Sequence, residues 1–152
     1  MIRVRDGLIS KYPFIVHREV MWGECDPAGY AYTPRFADYA VGAATFFHIE
    51  MLVDVLAMED GSKVGLPVKS MSFNFERFLK PQDEFEMQVS VGRIGKRTFE
   101  QRIEARSTSQ LVHFTCSLTR ICVDPKTARS VTMPRSLVSR LIELGGIERE
   151  AS

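Results

Sequence analysis

The chain has 152 residues, of which 45% are hydrophobic and 26% are charged. This length and composition are typical of one globular domain with one core, so we expect residues 1–152 to form a single domain. The formal net charge of +1 excludes a strong overall field, so we predict neither nucleic acid nor a membrane surface as a partner.

The first half of the chain predicts one strand and one long helix. Residues 1–11 are a polar lead-in, and residues 14–22 have the rough alternation of a strand. A loop rich in Pro and Gly follows, and Thr33 with Pro34 is a strong helix start. Apolar residues at three- and four-residue steps then predict one wide apolar helix face, made of Phe36, Tyr39, Ala40, Ala43, Ala44, Phe47 and Met51.

The second half of the chain predicts four strands and a short helix. Gly61 ends the helical region, and residues 64–67 are a connector. Period-two alternation marks strands near 71–76, 84–91, 99–105 and 112–118, with turn residues between the last three. A helix from Pro134 to Leu144 is closed by Gly145 and Gly146, and residues 146–152 form a tail.

This order of elements predicts an α+β architecture. Strands that are joined by short turns are antiparallel, and the apolar face of the long helix needs a large partner. We therefore expect a curved five-stranded antiparallel sheet wrapped round one long central helix. The open edges of such a sheet favour pairing between copies of the chain.

One carboxylate, Asp26, lies in the loop between the first strand and the helix. The loop reads Trp22-Gly23-Glu24-Cys25-Asp26-Pro27-Ala28-Gly29. Loops that are held at both ends by rigid elements often carry catalytic groups. An Asp before Pro and Gly also commonly shapes an Asx turn, so the local sequence leaves both roles open.

With Tyr32 and Pro34, this loop resembles the signature of hotdog-fold acyl-CoA thioesterases of the 4-hydroxybenzoyl-CoA thioesterase type. The order of elements agrees over residues 12–145. The resemblance implies a hotdog fold and hydrolysis of an acyl-CoA to free acid and coenzyme A, with Asp26 as nucleophile or general base. It implies no metal and no organic cofactor. It also implies a homodimer or homotetramer with active sites shared between subunits.

Thioester cleavage also needs hydrogen-bond donors for the developing oxyanion. One source is the start of the helix near Pro34, where free N–H groups and the positive end of the helix dipole converge. The other is the Gly65-Leu66 connector, where glycine lets the backbone approach a ligand. The resemblance favours the N–H of Gly65, contributed across a dimer interface.

Substrate contacts are predicted at two places. Where the family often carries an aromatic residue this chain has Thr33, and Tyr30, Tyr32 and Leu66 are the other predicted contacts with the acyl group. Further aromatic residues expected near the pocket, Phe36, Phe73 and Phe75, favour a bulky or aromatic acyl group, although such spacings also build cores. Coenzyme A phosphates need local cations, predicted to be Lys96 and Arg97 with Thr98 at a hairpin turn, and Arg129, with Arg120 nearby. A solvated turn is the alternative reading.

Other functions and sites stay open or are disfavoured. A thioesterase for acyl-carrier protein or short aliphatic acyl-CoA, and a non-catalytic acyl-CoA binding module, are the alternatives. The three histidines, His17, His48 and His113, lack the spacing of a metal site or catalytic pair, and Cys25 has no adjacent His base. An odd number of cysteines without CxxC spacing, and an N-terminus without a signal-peptide core, predict a cytoplasmic protein.

Overall fold

The computed structural model describes residues 7–149. In chain order the elements are β1 (Gly7–Lys11), β2 (Phe14–Glu19), α1 (Thr33–Met51), β3 (Val68–Phe75), β4 (Glu84–Ile94), β5 (Thr98–Ser107), β6 (Val112–Ile121), β7 (Val123–Asp124), β8 (Arg129–Ser130), α2 (Arg135–Glu143) and β9 (Ile147–Glu148). Short 3-10 turns at Trp22–Glu24 and Val53–Val55 precede and follow α1. None of the helices within the described residues is long and apolar enough to cross a bilayer.

Seven strands form one sheet in the order β1-β2-β4-β5-β6-β3, with β9 paired to β4, while β7 and β8 pair with each other. The pairs β1–β2 and β2–β4 are antiparallel, and β9 runs parallel to β4. The sheet thus has seven strands rather than the five predicted. The lead-in contributes β1 from residue 7 onward, and the tail contributes β9. Both pair through their backbones with mostly exposed or half-buried side chains, so neither has a marked apolar pattern.

Contacts divide the chain into two compact units. The first unit contains the described residues up to Phe46, with 73–89 and 103–116. Here the predicted apolar face of α1 packs on strands. The ring of Phe36 lies 5.3 Å from that of Phe114, and the ring of Tyr39 lies 5.3 Å from that of Phe85. The predicted burial of this helix face is therefore confirmed within the unit.

The second unit contains residues 47–72, 90–102 and those from Ser117 onward. Its α2 begins after Pro134 as predicted and ends at Glu143, two residues before Gly145, whose φ of +96° favours glycine. Arg140 on α2 donates 2.6 Å to the carbonyl of Met51 and binds both carboxylate oxygens of Asp54, at 3.0 and 2.9 Å. These bonds attach α2 to the chain that follows α1.

Candidate active site

The Asp26 loop, in the first unit, is closed by backbone hydrogen bonds. The N–H of Asp26 donates to the carbonyl of Tyr30 at 2.9 Å, and the N–H of Tyr32 donates to that of Glu24 at 2.8 Å. Ala31 adds a bond from its N–H to the carbonyl of Leu79, at 2.7 Å. The main chain on both sides of Asp26 is therefore fixed before any ligand binds.

The carboxylate of Asp26 uses one oxygen for the turn. Oδ1 accepts a 2.9 Å hydrogen bond from the N–H of Ala28, which is the Asx turn that the local sequence predicts. Oδ2 has no partner among residues 7–149, and the side chain is half-buried. The turn-shaping role and a chemical role are thus compatible, because they use different oxygens of one carboxylate.

Asp26 lines a cleft of about 370 Å³ whose walls are largely aromatic. Tyr30 and Phe78 stack with centroids 4.8 Å apart, and Phe36 meets Phe75 edge to face at 5.1 Å. All four rings line the cleft. A carboxylate beside such walls is suited to a substrate with a large apolar or planar acyl group.

The structure brings five of the predicted residues to this cleft, namely Asp26, Tyr30, Thr33, Phe36 and Phe75, but not the predicted Phe73. Tyr32 is exposed and is not among the residues that line it. Sequence reasoning missed Glu76, Arg77 and Phe78, which also line the cleft. They follow β3 in an irregular segment without periodic pattern, and the N–H groups of Glu76 and Arg77 both donate to the carbonyl of His113. The signal that the sequence offered was an aromatic residue, Phe78, next to a basic one, Arg77.

In the second unit, the connector at Gly65 pairs with Val123. The N–H of Gly65 donates to the carbonyl of Val123, and the N–H of Val123 donates back to Gly65, both at 2.9 Å. The N–H of Gly65 is therefore hydrogen-bonded within the chain, and its role as an oxyanion donor stays a prediction. Leu66 is buried, and its carbonyl accepts a 2.8 Å bond from Nη1 of Arg120.

Arg120 is an interior residue rather than a surface cation. It is 6% exposed, and its Nε donates to Oε1 of the fully buried Gln101 at 2.6 Å. Burial lowers the pKa of Arg120. Burial also lowers the pKa of His48, and the charge of Arg120 lowers it further. Arg120 thus fixes the Leu66 carbonyl from inside the unit, and this role separates it from the predicted phosphate cations.

The other predicted cations are exposed residues of the second unit. The turn between β4 and β5 is held by bonds from Cys122 N–H to the carbonyl of Arg97, 2.7 Å, and from Met133 N–H to that of Lys96, 3.0 Å. Nη1 of Arg97 donates to Oγ of Ser130 at 3.0 Å, and Arg129 is the preceding residue. Lys96, Arg97 and Arg129 are all exposed, while Thr98 begins β5 and accepts the N–H of Gly95.

The chain offers little other chemistry near Asp26. Burial, followed by the charges of Glu24 and Asp26, raises the pKa of the Cys25 thiol, which supports a packed thiol rather than a nucleophile. Among residues 7–149 no three His, Cys, Asp or Glu side chains converge as metal ligands would. The Nε2 of His17 lies 3.5 Å from Oε1 of Glu84, away from the cleft.

An antiparallel sheet packed on a helix is the architecture of hotdog-fold thioesterases, and here the loop before the helix carries Asp26. The sequence profile of the thioesterase-like superfamily matches residues 20–141, and the chain belongs to this superfamily. It is accordingly a thioester hydrolase, and the resemblance that the Asp26 loop carries is confirmed.

Solved structures agree on the fold. A 1,4-dihydroxy-2-naphthoyl-CoA thioesterase from Synechocystis is 15% identical, with a TM-score of 0.73 over 87% of this chain and 97% of that one. A gentisyl-coenzyme A thioesterase is 18% identical, with a TM-score of 0.70 over 84% and 98%. A Staphylococcus aureus protein in complex with CoA is 11% identical, with a TM-score of 0.76 over 95% and 87%. No curated protein sequence matches the chain.

Proposed function

We propose that this protein hydrolyses an acyl-CoA to free acid and coenzyme A, with Asp26 as the catalytic carboxylate and an aromatic acyl group as its preferred substrate. The proposal depends above all on one observation. Oδ1 of Asp26 is anchored by the N–H of Ala28 while Oδ2 is unpartnered, in a cleft that aromatic rings line. In a chain of the thioesterase-like superfamily, that arrangement suits thioester cleavage.

Two routes use the free oxygen of Asp26. In the first, Oδ2 attacks the thioester carbon, the C–S bond breaks, coenzyme A leaves as thiolate, and water then hydrolyses the mixed anhydride. In the second, Oδ2 takes a proton from a water molecule whose oxygen attacks the thioester carbon. The C–S bond then breaks, and coenzyme A leaves as the thiol after taking up the proton that Asp26 holds. Both routes need the carboxylate held still, which the backbone bonds around Asp26 provide.

The start of α1 is the proposed oxyanion site. Thr33 lines the same cleft as Asp26, and no acceptor for its N–H lies among the described residues. The dipole of α1 adds positive potential at this end of the helix. Since the N–H of Gly65 is bonded to Val123, the helix start is the better-supported of the two predicted sources.

The aromatic walls support a planar acyl group, and two structural neighbours are named as thioesterases of aromatic acyl-CoA esters. The exposed cations Lys96, Arg97 and Arg129 are the proposed contacts for coenzyme A phosphates. We propose no metal or organic cofactor. We also propose a homodimer or homotetramer, because β3 ends the strand order and exposes Met71 and Phe75, which a second copy would cover.

A substitution of Asp26 by Asn tests the central claim. The Asn side-chain oxygen can still accept the N–H of Ala28, so the turn persists while the nucleophile or base is lost. Thiol release from a panel of aromatic and aliphatic acyl-CoA esters should fall by about a thousandfold or more. Asp38→Asn, which breaks an exposed 3.2 Å pair with Arg35, is the control. Full hydrolysis by Asp26→Asn on every ester would contradict the role of Asp26.

The same panel separates the alternatives. A thioesterase for acyl-carrier protein would release thiol from acylated carrier protein but not from the free coenzyme A esters. A non-catalytic module would bind acyl-CoA with saturation and release no thiol.

A further inference from the structure

Glu24 joins three parts of the first unit. Its Oε1 accepts a 2.8 Å bond from the N–H of Met21, its Oε2 accepts a bond from Nη2 of Arg18, and its carbonyl accepts the N–H of Tyr32 at 2.8 Å. The side chain is only 13% exposed. One residue thus connects the end of β2, the 3-10 turn and the return of the Asp26 loop.

Arg18 extends this connection to the helix. It lies on β2, and its guanidinium carbon is 5.1 Å from the ring centroid of Tyr39 on α1. Tyr39 is buried, and burial together with the charge of Glu24 raises the pKa of its hydroxyl. The Glu24–Arg18 pair is therefore enclosed between a strand, a turn and a helix, where solvent screening is weaker than at an open surface.

Apolar packing does not hold this turn. No residue of Trp22–Glu24 is buried, and the ring of Trp22 is 70% exposed. Asp26 follows two residues later. The side-chain bonds of Glu24 thus add to the backbone bonds, from Glu24 N–H to Met21 at 3.0 Å and from Cys25 N–H to Trp22 at 3.2 Å, that hold the segment leading into Asp26.

We propose that the Glu24–Arg18 pair is a positioning element, which sets the direction of the free oxygen of Asp26 for attack on the thioester or on water. This inference rests on the proposed function of Asp26. Small displacements of a reacting group lower a rate steeply while leaving substrate affinity nearly intact. The pair should accordingly affect kcat far more than KM.

Three variants test the pair: Glu24→Gln, Arg18→Met and the double variant. Gln cannot accept from Met21 and Arg18 as the carboxylate does, because its amide has one oxygen and its nitrogen only donates. We expect kcat to fall at least about tenfold in each single variant with KM within about threefold. The double variant should be no slower than the slower single variant, because both remove one interaction. Asp38→Asn is the control, and unfolding curves establish that each variant is folded.

A kcat within about twofold of wild type in both folded single variants would overturn the proposal, as would fully additive losses in the double variant. Arg18→Lys keeps the charge but loses the planar group over Tyr39, so it should give a kcat between those of wild type and Arg18→Met. It replaces Arg18→Met in the test if that variant does not fold.

A second measurement does not depend on hydrolysis. Cys25 lies between Glu24 and Asp26, whereas Cys116 and Cys122 are buried, so alkylation of Cys25 reports on the loop. The rate with iodoacetamide is measured against pH, with Cys25→Ser as the blank. In Glu24→Gln we expect the limiting rate at high pH to rise at least about threefold, because the loop opens more often. An unchanged limiting rate of alkylation would overturn the positioning role of the Glu24–Arg18 pair. This test works even if the wild type cleaves no acyl-CoA. The absence of acyl-CoA cleavage by the wild type would contradict only the proposed function.

Discussion

Gly65 and Val123 exchange two backbone hydrogen bonds, each 2.9 Å long. A Cβ atom on Gly65 would lie 3.2 Å from Cγ2 of Val123, closer than most such contacts. The pairing therefore both occupies the N–H of Gly65 and restricts the size of the residue at this position. The start of α1 is accordingly the proposed oxyanion site, because the N–H of Thr33 has no acceptor among the described residues and the helix dipole is positive there.

Gly65→Ala should lower the free energy of unfolding by about 1 kcal/mol, because the added methyl group crowds Val123. Val123→Ala in the same background should recover part of that loss, since it removes Cγ2. Urea unfolding of the two single variants and the double variant measures the coupling. Strictly additive losses would show that the two side chains do not meet.

Phe78→Ala should raise KM for aromatic acyl-CoA esters by about tenfold, because it removes the ring that stacks on Tyr30 at 4.8 Å. Acetyl-CoA, whose acyl group is too small to reach the ring, should change by less than about twofold. Ile147→Ala, at another exposed apolar residue, is the matched control. An equal rise in KM for both esters would show that Phe78 does not select the acyl group.

Replacing Lys96 and Arg97 together by Ala should raise KM for acyl-CoA by about tenfold while leaving a truncated pantetheine thioester unaffected. The reason is that only the full coenzyme carries the nucleotide phosphates. Arg102→Gln, which breaks a 2.6 Å pair with Glu100 outside the turn, controls for loss of charge. Loss on both substrates alike would assign the two cations a structural role.

His48 should make stability depend on pH. Burial, with the charge of Arg120, lowers its folded pKa below the ordinary value for histidine of about 6.5, so the unfolded chain binds the proton more readily. The contribution of His48 is therefore present above about pH 6.5 and is lost as the pH falls toward the folded pKa. Thermal unfolding of wild type and His48→Gln between about pH 5 and 8 measures this, and the variant should show the flatter profile. Parallel profiles would contradict the assignment.

The local sequence predicts those features of this protein that depend on residues close together in the chain. The helix with its apolar face, the closing Gly145 and the Asx turn at Asp26 all follow from residue type and spacing over a few positions. The superfamily could also be recognised, because the residues that carry the resemblance lie together in one loop.

Other features needed partners that are distant in the chain. β1 looked like a polar lead-in, because a strand that pairs through its backbone needs no apolar pattern. The sequence places Arg120 near the predicted surface cations, but its guanidinium donates to Gln101 and to the Leu66 carbonyl inside the unit. Arg77 and Phe78 follow no periodicity, and their place in the cleft depends on the backbone of His113.

The sequence by itself determined the class of protein and its candidate carboxylate, since Asp26 and its turn are set by residues within a few positions. Tertiary structure alone decided which residues surround that carboxylate. Hydrogen-bond partners are assigned by where the backbone passes in space: the N–H of Gly65 is bonded to Val123, while Thr33 lines the cleft of Asp26.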